Sequence, residues 1–143
     1  METIENRQLA SELQELYLEN KEWLSDVLFI EDEIRFFQKL FDKVISLAIQ
    51  EDRVPELHPV NKSLAELMET GRVIEEQIHK NQHLLESLIK DSEKRIGMNL
   101  IEENVQIVKD VKMLFTKEKM VKKALYVLAE KVFEENKTQL LSK

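Results

Sequence analysis

The chain has 143 residues and a net charge of −7, with 43% hydrophobic and 34% charged residues but only two Gly and two Pro. That is enough chain for one domain with its own core, and so little turn-forming material points to few, long helices. Without Cys there are no disulfides, thiolate metal sites or cysteine nucleophiles; the acidic balance argues against nucleic acid; and since no apolar run approaches ~18 residues and no basic-then-apolar leader opens the chain, a soluble cytoplasmic protein without a membrane segment is expected.

The first element is predicted over residues 3–51. Stepping alternately by three and four from Leu9 meets Leu13, Leu16, Asn20, Trp23, Val27, Ile30, Ile34, Phe37, Phe41, Val44 and Ala48, and of these twelve positions only Asn20 is polar. Such spacing keeps one seam of a helix facing its partners. Phe29, Phe36, Leu40 and Leu47 lie off this seam and form an adjoining apolar stripe.

"QEDRVPELHPVNKS" follows, and its two prolines predict an extended connection that holds His58 in a loop. Ser63 with Glu66 has the spacing of a capping box, which starts the second helix at residue 62 and carries it to 95. Its seam is Val60, Leu64, Leu67, Gly71, Ile74, Ile78, Asn81, Leu85 and Leu88. Opposite that seam, Glu76, His79, His83 and Glu86 form an outward stripe. Histidines one turn apart can share a zinc ion, and Glu76 or Glu86 could add an oxygen ligand. Residues 80–82, between the histidines, are Lys, Asn and Gln, so the glutamate base of a zinc protease is missing. Glu76–His79 matches the Glu-x-x-His of di-iron bundles once, and no second copy exists.

Gly97 suits the end of the second helix, and Asn99 with Glu102 gives a weaker cap for a third helix over 99–141. Its seam runs Leu100, Asn104, Ile107, Val111, Leu114, Glu118, Val121, Leu125, Leu128 and Val132. Glu118 sits within polar "FTKEKM", so the alternative is a break at 116–119 that gives four helices; a buried Glu118 would need a partner, with Arg35 and Arg72 the candidates. Met113, Met120 and Val127 recur every seven residues off the seam.

Long, shorter, long with short connections predicts an all-α, antiparallel up-down-up bundle of three helices as one domain over 1–143. It is similar in architecture to spectrin-like repeats, a likeness of fold that implies no activity. Threading the helices antiparallel brings Asn20 and Asn104 to the same height, where they would pair and fix register.

The expected middle helix is shorter by roughly 12 residues, which leaves about 18 Å of helix unmatched at the outer ends. With Leu9, Leu13 and Leu18 at one overhang and Phe133 at the other, and with the stripes of Phe29, Phe36, Met113, Met120 and Val127, a homodimer or another protein partner is expected. Residues 1–60 hold 14 acids and 6 bases, residues 97–143 hold 7 and 9, so the outer helices should attract each other. No catalytic constellation and no cofactor motif stands out. The expectation is a non-enzymatic interaction or scaffolding protein; the alternative is a metal-binding protein that uses the histidine pair.

Overall fold

The computed structural model describes residues 4–48, 54–90 and 98–142, with side chains described at 11–48, 54–90 and 100–137. Three helices, α1 (Ile4–Leu47), α2 (Val54–Lys90) and α3 (Met98–Ser142), pack as an all-α antiparallel bundle, with no strand among the described residues. The seams decide which faces are buried: Val27, Ile34, Phe37 and Val44 of α1, Leu64, Ile78 and Leu85 of α2, and Leu114, Leu125 and Val132 of α3 are all buried.

Packing divides the chain into two compact units. Unit 1 takes Met1–Phe29 and Arg72–Met113; unit 2 takes Ile30–Gly71 and Leu114–Lys143. Unit 1 buries Leu13, Leu85, Leu88 and Leu100 together, with Leu16 and Tyr17 against them. Unit 2 buries Phe37, Phe41, Val44, Val60 and Leu64 with Leu125, Leu128, Ala129 and Val132. At roughly 1.5–3 kcal/mol per fully buried large apolar side chain, these clusters are the main force holding the helices together.

The start of α2 differs from the sequence expectation. The helix begins at Val54, so Pro55, His58 and Pro59 are helical and Ser63 with Glu66 lies inside the helix instead of capping it. Pro55 is in the first turn, where its missing N–H would have no intrahelical acceptor. Pro59 does cost the bond to the Pro55 carbonyl. Against that cost, Leu57 and Val60 continue the apolar seam toward the N-terminus and pack on the unit 2 core. The helix therefore runs through both prolines.

The earlier start extends the middle helix toward its N-terminus; among the described residues it has 37 residues against 44 and 45. Leu13, expected on an overhang, is core: it is buried against Leu85, Leu88 and Leu100. Val132, the last seam position of α3, is buried in its own unit. Leu18 and Phe133 are exposed, whereas the Leu9 side chain lies outside the described residues.

α1 closes with the Ala48 N–H donating to the carbonyls of Val44 (2.9 Å) and Ile45 (3.2 Å). Ala48 lies beyond the helix end at Leu47; the rest of the expected extension to 51 falls outside the described residues, as do the expected end of α2 at 95 and the Gly97 cap. α3 starts at Met98, which puts Asn99 in its first turn. The helix is continuous through 116–119, so the four-helix alternative does not hold. No Gly or Pro interrupts that stretch, and the buried positions Leu125, Leu128 and Val132 continue the phase of Leu114.

Candidate functional site

Two polar groups interrupt the apolar seams, one in each unit. In unit 1, Asn20, Asn81 and Asn104 are all buried. The Asn81 Nδ2 group donates to Asn20 Oδ1 at 2.9 Å and to Asn104 Oδ1 at 3.0 Å. Asn104 Nδ2 donates to the Leu100 carbonyl at 2.7 Å and, at 3.4 Å, to Asn81 Oδ1. Asn20 Nδ2 donates to the Ile78 carbonyl at 3.1 Å. Asn20 and Asn104 do share a layer, but Asn81 joins them by standing between. Each amide oxygen has a donor, so burial of the layer is compensated.

In unit 2, Glu118 is buried on the α3 seam. Burial raises its carboxyl pKa above the ordinary value of 4.5, the nearby Glu33 charge raises it further, and donation of the proton to Glu33 adds to both; Lys122 and Lys119 oppose the shift. Lys122 Nζ lies 3.9 Å from Glu33 Oε2 and 5.9 Å from the centroids of Phe37 and Tyr126. The arginines proposed as partners are engaged elsewhere: Arg35 pairs with Asp32 at 2.6 Å and Arg72 with Glu76. A buried acid beside a second acid holds a proton between them.

Glu31 is buried as well, although it lies beside the seam. Gly71 gives it room: a methyl added at Gly71 would sit 3.5 Å from Glu31 Cγ.

Glu76, His79 and His83 are exposed, as their position opposite the seam requires, whereas Glu86 is half-buried. Its members do not converge. Glu76 accepts from Arg72, His79 Nε2 lies 3.6 Å from Glu75, and Glu86 accepts from the Tyr17 hydroxyl at 3.1 Å while His83 Nδ1 lies 3.8 Å away. Among the described residues no group of three or more His, Asp or Glu is placed to hold a metal ion. No described helix is long and apolar enough to cross a membrane.

The off-seam apolar residues are at the surface. Phe29, Phe36 and Met120 are 60%, 58% and 68% exposed, and Met113 and Val127 are also open to solvent. Met120 belongs to a groove in unit 2 between α2 and α3. One recess of about 370 Å³ is floored by Val60, Leu67, Val121 and Ala124 and edged by Glu66 and Lys117. A second, shallower recess shares Val60, Met120 and Ala124 with the first and adds Val127, Lys123 and Lys131. The sequence pattern identified the methionine stripe; the groove depends on Pro59, Val60 and Ser63 being helical beside α3.

Comparison with family models, with curated proteins and with solved structures finds no match. The likeness to spectrin-like repeats thus rests on helix number and seam pattern alone.

Proposed function

We propose that this chain is a non-enzymatic helical interaction module that works by self-association through its exposed apolar stripes. The supporting observation is the solvent exposure of Phe29 and Phe36, seven residues apart on α1 and each more than half exposed. Aromatic side chains are costly to leave in water and are enriched where protein surfaces meet. The buried amide layer supports the same reading, because a bundle that presents specific stripes must hold its helices in one register, and buried asparagines do this at some expense of stability.

The test is molecular mass as a function of concentration by analytical ultracentrifugation. Wild-type protein is expected to associate, with a homodimer the first species. Phe29→Glu with Phe36→Glu should shift the equilibrium to monomer while the helical circular dichroism spectrum stays unchanged. His79→Ala with His83→Ala should leave the mass as it was. Association that persists unchanged in the phenylalanine variant would rule out this face as the interface.

A further inference from the structure

Charges left unpaired on two separate surfaces match each other. On α1 within unit 1, Glu15, Glu19, Glu22 and Asp26 are exposed and take part in no ion pair among the described residues. At 3.6 residues per turn they fall, with the exposed Leu18 and Phe29, within about 100° of helix circumference. Lys21 lies on the other flank of Leu18, its ammonium 4.8 Å above the Tyr17 ring. This face is therefore an apolar ridge with acids on one side and a base on the other.

The groove of unit 2 carries lysines where the ridge carries acids. Its apolar floor carries Met120 and Val127; Lys117, Lys123 and Lys131 line it from α3 and are likewise without an ion pair among the described residues. From α2 the groove receives Glu66 and Glu56. The lysines span about 21 Å of helix and the acids Glu15 to Asp26 about 17 Å, at 1.5 Å per residue. The lysines flank Met120 and Val127 on α3, so the lysine-lined α3 wall of the groove carries the charge opposite to that of the ridge's acids.

We infer that the α2–α3 groove of unit 2 receives the Leu18–Phe29 ridge of α1 from a second copy of this chain. The acids face the α3 lysines, and Lys21 faces the α2 edge that carries Glu66 and Glu56. Methionine at the centre suits such a seat, since its flexible thioether adapts to a ridge made of Leu and Phe. The two faces are different surfaces, so a two-fold dimer makes the contact twice, whereas an open arrangement makes it once per chain and grows with concentration.

The inference rests on self-association and adds which surfaces meet and what steers them. The experiment uses two charge-swapped full-length chains, one with Lys117→Glu, Lys123→Glu and Lys131→Glu and the other with Glu15→Lys, Glu19→Lys and Glu22→Lys. All six positions are exposed, and circular dichroism checks that both chains fold. Each chain alone should associate at least about tenfold more weakly than wild type, and the equimolar mixture should recover association, because swapped ridge then meets swapped groove. Added salt should weaken the wild-type complex. Association of wild type that neither swap disturbs, or a mixture that stays monomeric, overturns the pairing while leaving self-association through other residues intact. Wild type that is monomeric at every concentration overturns both.

Discussion

Asn81 is the residue through which the amide layer is most directly tested. Asn81→Ala removes both donors to its neighbours and leaves Asn20 Oδ1 and Asn104 Oδ1 buried without the bonds they accept at 2.9 and 3.0 Å. Each orphaned acceptor costs about 1–3 kcal/mol, so the substitution should cost roughly 2–6 kcal/mol. Loss of the Asn20 and Asn104 amides themselves is different, because they donate to the Ile78 and Leu100 carbonyls, which already serve backbone bonds in their helices.

The triple variant Asn20→Leu, Asn81→Leu, Asn104→Leu should therefore be as stable as wild type or more so, since an apolar layer replaces a compensated polar one. Urea unfolding followed by circular dichroism measures both. The alanine variant is expected to unfold about 1–3 M earlier, using an m-value of ~2 kcal/mol/M. The triple variant should unfold no earlier than wild type while populating additional oligomers or registers in sedimentation. An alanine variant within about 0.5 kcal/mol of wild type, or a triple variant equally destabilised, would refute the claim that these amides serve one another.

Glu118→Gln should stabilise the protein at neutral pH and lose that advantage in acid. The folded-state pKa of Glu118 is raised, so the folded chain holds this proton more tightly than the unfolded one, and stability falls as pH rises from the ordinary value of 4.5 through the folded one. A urea-midpoint difference between variant and wild type that stays flat from about pH 4 to about pH 8 would contradict this. Gly71→Ala should raise the melting temperature by a few degrees, because Ala is better than Gly by about 1 kcal/mol inside a helix and the added methyl meets Glu31 Cγ and Oε1 at 3.5 and 3.6 Å, ordinary contact distances. A lower melting temperature would mean that the Glu31 side chain cannot accept the methyl. Tyr17→Phe should cost about 0.5–1.5 kcal/mol through the lost bond to Glu86, read by the same unfolding assay; no change would assign that bond to solvent exchange.

The seams were legible because burial on a helix repeats every three or four residues, and nearly every position stepped off from Leu9, Val60 and Leu100 that is described is buried. The start of α2 was not, because proline is read locally while its cost is weighed against packing; the signal was Leu57, which falls in step with Val60. Asn81 stood in its seam, yet its role depends on the height of α2 relative to two other helices, which seam spacing does not encode. Relative height likewise decides that Glu33, and not Arg35 or Arg72, is the neighbour of Glu118. Glu31 was invisible as a core residue because periodicity marks apolar side chains, whereas its burial follows from the side chain that Gly71 lacks.

The amide layer recognises an alignment of three helices and nothing about which molecule supplies them. If α1 of one chain were exchanged with that of another in the same register, Asn20 would still accept from Asn81 and every bond of the layer would be kept. The layer therefore locks register without opposing domain swapping. That burden falls on the connection between Leu47 and Val54, whose length sets how readily α1 returns to its own chain.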